Sequence, residues 1–284
     1  LVRAGFIRLG DEEVFRRPEV DVEPQGLPEL NDSQRDAFDG ISALANGEKA
    51  GAALLFGVTG SGKTTIYIRL IAEQRARGRG CMLLVPEIAL TPQMLRTFTS
   101  HFGGDIAVLH SSLSAGERYD EWRRIKNGDA KVVIGTRSAV FAPLDDIGLI
   151  IIDEEQEDTY KSENAPRYHA RDVAKYRCAQ DKALLLLGSA TPDVESRYFA
   201  STGRYGFFTL PDRYNERELP SVEIVDLKRE LRRGNGGSIS ERLREELQGN
   251  IERGEQSILF INRRGANKLV TCVECGYTYK CPNC

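Results

Sequence analysis

The sequence has no long hydrophobic run and no excess of positive charge. Its apolar stretches are short, such as Leu149–Ile152 and Leu184–Leu187, whereas a membrane-spanning helix needs about 20 successive apolar residues. The formal net charge is -3, so a global basic field that would attract nucleic acid is missing, and local basic patches would have to hold such a partner. Because no apolar run is long enough to span a membrane, we expect no membrane partner.

Cysteine is also scarce, and its positions are uneven. Cys81 and Cys178 stand alone next to or within apolar sequence, so we expect them to be core thiols. The opening residues do not show a charged segment followed by an apolar one, so we expect no secretory signal and prefer metal ligation to a disulfide scaffold. Two C-x-x-C pairs supply the four candidate zinc ligands, Cys272, Cys275, Cys281 and Cys284.

Strand-like and helix-like segments alternate from Asn31 onwards. Apolar strands separated by helices predict an α/β fold with a central parallel sheet that is buried on both faces. The predicted strands are Ala52–Phe56, Cys81–Val85, Ile106–Leu109, Lys131–Ile134, Leu149–Ile152 and Leu184–Leu187. The predicted helices are Lys63–Arg77, Thr91–His101, Ala115–Lys126, Ala170–Ala179 and Pro192–Ser201.

The two ends of the chain differ from this pattern. Residues 1–27 hold two short apolar clusters and a proline-containing linker. We predict that the first domain covers residues 28–215 and that a second begins in residues 216–268, with strands at Val222–Asp226 and Ser257–Ile261. A cysteine-rich module follows at residues 269–284. The chain opens on "LVRAGFIRLG" and stops on "CPNC", so we expect it to be a piece of a longer protein.

A glycine-rich turn joins the first strand to the first helix of this pattern. The stretch from Gly57 to Thr64 matches G-x-x-x-x-G-K-[ST], in which backbone N–H groups and the helix dipole hold phosphates. Lys63 is expected to reach the β- and γ-phosphates, and the Thr64 hydroxyl to contact Mg²⁺. The predicted nucleotide-binding residues of the turn are Gly57, Thr59, Gly60, Ser61, Gly62, Lys63, Thr64 and Thr65.

Two adjacent carboxylates end a later apolar strand, in "LIIIDEEQ". We expect Asp153 to hold the Mg²⁺ shell and Glu154 to orient and deprotonate the attacking water. An acidic pair after a strand is by itself common in solvated loops. Together with the phosphate loop it predicts a hydrolytic nucleotide site.

Three further stretches follow the second, fourth and sixth predicted strands. They read "VPEIALTPQ", "GTRSAVFAPL" and "GSATPDVES", and parallel sheets place ligands at these strand ends. Their hydroxyl and backbone N–H groups suit a sugar-phosphate backbone. A nucleotide kinase or switch would not need them.

This ordered set resembles the superfamily 2 helicases. Together with "DEEQEDTYKSENAPRYHARDVA" and "NRRG" before the cysteines, it is most similar to the bacterial primosomal replication-restart helicases over roughly residues 28–284. The resemblance implies a RecA-like helicase lobe, then the start of a second lobe and an incomplete zinc module, with residues 1–27 as the end of a winged-helix domain plus linker. It implies a cytoplasmic, nucleoid-associated 3′→5′ DNA helicase that uses ATP and Mg²⁺ at stalled forks. Its partners would be forked and single-stranded DNA, a single-stranded-DNA-binding protein and other primosome proteins.

The resemblance also assigns roles to residues outside the phosphate loop. Gln34 could read the adenine edge, although its spacing from Asn31 equally fits a helix cap. Gln156 replaces the histidine that usually ends the acidic motif, and we expect it to keep the coupling between the nucleotide site and "GSATP". Aromatics interleaved with cations after the acidic pair suit single-stranded DNA. The predicted DNA-binding and coupling residues are Pro86, Thr91, Thr136, Arg137, Ser138, Tyr160, Arg167, Tyr168, Ser189 and Thr191.

Two expectations concern what the chain lacks. Only five residues separate Cys275 from Cys281, so one zinc site formed by all four cysteines is possible but tight. The resemblance instead places the two pairs on two different zinc ions, so we expect both sites to be incomplete here. Hydrolysis in superfamily 2 needs arginines of the second lobe, so we expect the chain to bind nucleotide, hydrolyse it poorly and not unwind DNA. The alternatives are another superfamily 2 translocase and a non-catalytic primosome-loading scaffold.

Overall fold

A computed structural model describes residues 22–211, 221–237, 239–260, 270–271 and 278–279. The chain divides into a first unit, Leu1–Glu218, and a second unit, Leu219–Cys284. The predictions made for residues 1–21 and for the four terminal cysteines fall outside the described residues.

Seven strands of the first unit form one sheet in which every pairing is parallel. Their order across the sheet is β3-β4-β2-β5-β6-β1-β7. The predicted central parallel sheet is therefore confirmed, and each of the six predicted strands is present. The strands are β1 (Gly51–Gly57), β2 (Gly80–Leu84), β3 (Ile106–Leu109), β4 (Val132–Gly135), β5 (Ile147–Asp153), β6 (Leu184–Ser189) and β7 (Gly206–Leu210).

One helix precedes β1 and five more lie between the strands, and local sequence fixes where most of these helices start. Asn31 and Ser114 each form a capping box with the residue three positions on, which satisfies N–H groups that the helix leaves unpaired. Thr91 caps the third helix with its hydroxyl. The helices are α1 (Asp32–Ala45), α2 (Lys63–Ala76), α3 (Pro92–Phe102), α4 (Ala115–Asn127), α5 (Ala170–Asp181) and α6 (Val194–Ser201).

The core lies on both faces of the sheet. One cluster contains Tyr67, Leu83 and Ile151, and the other contains Met82, Ile150 and Tyr205. Neighbouring residues of β2 and of β5 thus point to opposite faces and are buried on both, which explains why these strands are apolar throughout. No helix among the residues placed by the structure is long and apolar enough to cross a membrane.

The second unit contains α7 (Leu227–Arg232), α8 (Glu241–Glu252) and an antiparallel pair, β8 (Val270–Thr271) and β9 (Thr278–Tyr279). The predicted strand at Val222–Asp226 is wrong, because these residues form no strand. The described part of the predicted strand Ser257–Ile261, residues 257–260, forms no strand either. Most apolar side chains of both segments are exposed, namely Val222, Ile224, Ile258, Leu259 and Phe260. An apolar run becomes a strand only where another strand pairs with it.

Candidate functional site

The phosphate loop turns sharply between β1 and α2. Gly62 is the N-cap residue of α2 and has a φ of 86°, a left-handed conformation that glycine adopts without strain. A Cβ at this position would lie 2.1 Å from Nε2 of Gln34, so any other residue would displace the Gln34 amide. Because Gly62 has no side chain to cap the helix, the first N–H groups of α2 are left for an anion.

The polar groups of the loop fit a phosphate ligand. Lys63 is largely buried and donates from Nζ to the carbonyl oxygen of Gly57 at 2.9 Å. The hydroxyl of Ser61 is buried and has no hydrogen-bond partner among the described residues, which is costly unless a polar ligand satisfies it. This donor set of hydroxyl, ammonium and helix N-terminus fits a nucleotide phosphate.

The loop and the acidic pair line one pocket of about 390 Å³. The sheet brings them together because β1 and β5 both pair with β6, in parallel. The predicted site residues Lys63, Thr64, Asp153 and Glu154 therefore meet at one end of the sheet, although about 90 residues of sequence separate the two motifs. The pocket is lined by Thr59, Gly60, Ser61, Gly62, Lys63, Thr64, Thr65, Asp153 and Glu154.

Asp153 is held on both its side chain and its main chain. Tyr67 of α2 donates its hydroxyl to Oδ1 of Asp153 at 2.8 Å. Burial raises the pKa of Asp153, while the bond from Tyr67 and the charge of Lys63 act in the opposite direction. Burial and the nearby negative charge of Asp153 raise the pKa of Tyr67 well above its usual value, so Tyr67 stays a donor.

Tyr160 does not have the role that the sequence suggested. Its side chain is only 1% exposed, so it cannot stack on a base, and this assignment is corrected. The hydroxyl instead donates to the carbonyl oxygens of Asp153, at 2.6 Å, and Leu84, at 3.1 Å. Tyr160 thus joins the ends of β5 and β2 beside the nucleotide pocket.

Gln34 likewise lies where it cannot reach an adenine ring. It is fully buried; its Nε2 donates to the carbonyl oxygen of Ser61 at 3.1 Å and its Oε1 accepts from the N–H of Asn31. The capping-box alternative is therefore what the structure shows. Because the same amide also holds the phosphate loop, Gln34 supports the pocket from behind.

A chain of hydrogen bonds leads from the acidic pair to "GSATP". Glu154 has a φ of 46°, an uncommon conformation for a residue with a side chain. Gln156 donates from Nε2 to Glu154 at 3.1 Å, and its Oε1 accepts from the hydroxyl of Ser189 at 2.6 Å. The N–H of Thr191 donates to that same hydroxyl. The glutamine that replaces the usual histidine therefore bridges the two motifs.

An ionic network that sequence reasoning missed lies beside this chain. Arg171 of α5 donates to Glu155 at 3.3 Å, to Asp193 at 3.2 Å and to Glu195 at 2.8 Å. It also donates to the hydroxyl of Ser196, which in turn donates to Glu155. Burial lowers the pKa of Arg171, but the three carboxylates outweigh this effect and raise it. The network fixes the start of α6 against the acidic motif.

Three of the predicted DNA-binding residues, Thr136, Arg137 and Ser138, lie around the ends of β2, β3 and β4. A pocket of about 210 Å³ there is lined by Val85, Glu87, Ser111, Thr136, Arg137, Ser138 and Thr159. Arg137 donates to the carbonyl oxygens of Thr159 and Lys161 and lies over the ring of Tyr168. These contacts join the "GTRSAV" loop to the aromatic-rich segment.

The remaining predicted residues differ in exposure. Arg167, Ser138, Thr91 and Thr191 are exposed and accessible to a ligand, whereas Thr136, Pro86 and Ser189 are buried. Tyr168 is half-buried and packs edge-to-face on Phe141. The four terminal cysteines lie outside the described residues, and among the residues that are described no group of three or more His, Cys, Asp or Glu side chains could hold a metal ion.

Tyr67 is the second residue that sequence reasoning missed. It lies four residues after Lys63 on α2, and this spacing puts both on one face of the helix. A polar tyrosine one turn after the lysine of the glycine-rich loop was therefore a usable signal. Arg171 gave no such signal, because its partners are 16 to 25 residues away.

Comparison with known proteins identifies the family to which this sequence is similar. Residues 31–198 match the model of the DEAD/DEAH box helicases. The chain is 46% identical over its whole length to the replication restart protein PriA of Bacillus subtilis and 41% identical to that of Synechocystis. It spans about a third of the length of these curated relatives, 36% and 34%. The chain also shares its fold with a solved structure of RecG bound to a three-way DNA junction, with a TM-score of 0.50 and 22% sequence identity. The match covers 79% of this chain and 31% of the RecG chain.

Proposed function

Because the chain belongs to the DEAD/DEAH box helicase family, we propose that it forms the ATP-binding lobe of a replication-restart DNA helicase. The motor moves 3′→5′ and acts at stalled forks in the nucleoid. Two kinds of support combine here: the pocket that joins the phosphate loop to the acidic pair and the high identity to PriA proteins along the whole chain.

In this proposal the pocket binds ATP through the phosphate loop. The N–H groups at the start of α2 and the ammonium group of Lys63 hold the phosphates, and Thr64 and Asp153 hold a Mg²⁺ ion, which neutralises charge on the phosphates when bound. Glu154 accepts the proton of the attacking water. Its left-handed backbone aims the side chain into the pocket rather than along the strand.

Gln156 links Glu154 to Ser189 through two hydrogen bonds. This link is the observation that supports a motor over a protein that only binds nucleotide. It connects the group that activates water to a strand end that faces the nucleic acid in our proposal. A change in either motif alters the hydrogen bonds available to Gln156, and hence the position of Glu154. DNA binding and hydrolysis are thereby coupled.

We place the DNA backbone on the strand-end pocket that contains Thr136, Arg137 and Ser138. Hydroxyl groups, backbone N–H groups and one guanidinium group suit phosphate contacts without base reading. Tyr168 and Arg167 supply the stacking surface and the nearby positive charge. Tyr160 stays internal and positions Asp153.

Further parts of the proposal rest on the resemblance. The four terminal cysteines are proposed to contribute ligands to two zinc ions. The domain division at residues 28–215, 216–268 and 269–284 is proposed to correspond to the first lobe, the start of the second and the zinc module. A single-stranded-DNA-binding protein and primosome proteins are the proposed partners.

The test is ATP hydrolysis by the full-length protein with and without forked or single-stranded DNA. We expect strong stimulation by DNA, and we expect Gln156→Ala to retain nucleotide binding but lose the stimulation. Gln156→His, which restores the usual residue, should keep it. A wild-type protein that DNA does not stimulate would remove the helicase proposal and favour a non-catalytic loading scaffold.

A further inference from the structure

The hydroxyl of Tyr67 reaches Asp153, a residue that lines the proposed nucleotide pocket, from inside the protein core. Tyr67 lies on the buried face of α2, packed among Leu83, Ile151 and other core residues, and only its hydroxyl is polar. A buried hydroxyl needs a hydrogen-bond partner, and here the partner is Oδ1 of Asp153 at 2.8 Å.

The sheet leaves a space for this hydroxyl. Gly188 of β6 lies opposite Asp153 in the parallel register, and a Cβ at position 188 would come within 1.8 Å of the Tyr67 hydroxyl oxygen. No real contact is this short, and Tyr67 is fixed by packing on all sides. Gly188 is therefore required for the Tyr67–Asp153 bond, and the bond is a built feature of the strand end.

From this geometry we propose that Tyr67 is a positioning residue that orients the Asp153 carboxylate for Mg²⁺. This inference rests on the proposed nucleotide site. A bond on Oδ1 fixes the rotation of the carboxylate, and an ionised carboxylate still has lone pairs to offer a metal ion or its water. Partners that hold a metal-binding group in place typically contribute 10–100-fold to metal affinity.

Tyr160 completes this arrangement at the main chain. Its hydroxyl holds the carbonyl oxygen of Asp153 at 2.6 Å, while Tyr67 holds the side chain. The two tyrosines come from different segments and constrain different atoms. Tyr67 is the side chain that donates to the carboxylate, so its removal should change Mg²⁺ binding without moving the strand end.

The experiment measures how much Mg²⁺ improves nucleotide binding by the 284-residue chain. The magnesium gain is the Kd of a fluorescent ADP analogue in EDTA divided by its Kd in saturating MgCl₂. Tyr67→Phe keeps the ring and removes the hydroxyl. We expect it to lower the magnesium gain about tenfold while the Kd in EDTA is unchanged.

Three further variants separate a positioning role from a general packing effect. Tyr205→Phe, a buried tyrosine in the core cluster on the other face of the sheet, should keep the full gain. Gly188→Ala should reduce the gain as Tyr67→Phe does, because it displaces the hydroxyl. In an Asp153→Asn background, Tyr67→Phe should have no further effect.

Two results would overturn the inference while leaving the proposed nucleotide site intact. One is a Tyr67→Phe chain with the wild-type gain; the other is an equal loss of affinity with and without Mg²⁺, which would indicate damage to the phosphate loop. A wild-type chain that does not bind the analogue at all would refute the proposed nucleotide site itself, and the inference with it. Circular dichroism of each variant checks that the fold is retained.

Discussion

Replacing Arg171 by methionine should destabilise the first unit strongly. Methionine retains most of the side-chain volume but removes the charge that Glu155 faces. The side chain of Glu155 is 0% exposed and that of Arg171 is 9% exposed, so the variant would leave a buried carboxylate without its cation. Asp193 and Glu195 are 43% and 52% exposed and regain water when Arg171 is lost.

The magnitude follows from this difference in burial. Breaking a buried ion pair by removing one partner costs about 3–5 kcal/mol, whereas exposed pairs contribute about 0–1 kcal/mol. The Glu155 contact therefore dominates, and we expect Arg171→Met to lower the free energy of unfolding by about 3–5 kcal/mol. Combining it with Glu155→Gln should recover part of this loss, because the unpaired charge is then gone.

Trp122 is the only tryptophan of the chain and lies in the first unit, so its fluorescence during urea unfolding reports on that unit. Arg177→Met is the matched control, because Arg177 lies on the same helix and donates to the backbone carbonyls of Val140, Ala142 and Leu144. Glu155→Gln should not recover the stability that this control loses. The reasoning would be refuted if Arg171→Met lowered the free energy of unfolding by less than about 1 kcal/mol, the size of an exposed pair. Strict additivity of the effects of Arg171→Met and Glu155→Gln would also refute it.

Three other predictions follow from the same structure. Burial lowers the pKa of His169, whose Nδ1 accepts from the N–H of Arg171 at 3.2 Å. Because the unfolded chain then binds a proton at a higher pH than the folded chain does, the free energy of unfolding should fall as the pH drops below about 6.5. In urea titrations His169→Asn should flatten this pH dependence, and an unchanged dependence would show that another group causes it. Burial raises the pKa of both Cys81 and Cys178 to about 12, so iodoacetamide at pH 8 should label them far more slowly in the native than in the unfolded chain, as read by peptide mass spectrometry; equal rates would contradict the burial. Tyr168→Ala in the full-length protein should weaken single-stranded DNA binding by ~1–3 kcal/mol, whereas Tyr168→Phe should not. If Tyr168→Ala and the wild type bind DNA equally well in a fluorescence anisotropy titration, stacking on Tyr168 is excluded.

The sheet could be predicted from sequence because its central strands carry their own signal. Runs such as Leu184–Leu187 are apolar at every position, and only a strand covered on both faces needs that. The edge strand β7 was missed for the opposite reason. Its residues alternate between half-buried and exposed up to the buried Leu210, with Phe207 36% exposed, so it has no continuous apolar run.

The nucleotide site was predictable to a different depth at each residue. Lys63 and Thr64 belong to a contiguous motif whose geometry is local. Tyr160 looked like a base-stacking aromatic because it lies among cations, and only the contact with Leu84, 76 residues earlier, shows that it is internal. Aromatic side chains next to charged ones have the same pattern whether they face solvent or the core, so sequence could not separate the two.

The contact between Tyr67 and Gly188 also has a consequence for how related chains can differ. The hydroxyl occupies the volume that a side chain at position 188 would need, so neither position can change freely while the other stays. A homologue with a residue smaller than phenylalanine at the first position could accept alanine at the second, because the ring Cζ that lies 3.0 Å from such a Cβ is then also gone. A tyrosine at the first position should be accompanied by glycine at the second. These two positions, 121 apart in the chain, are thus expected to covary across an alignment.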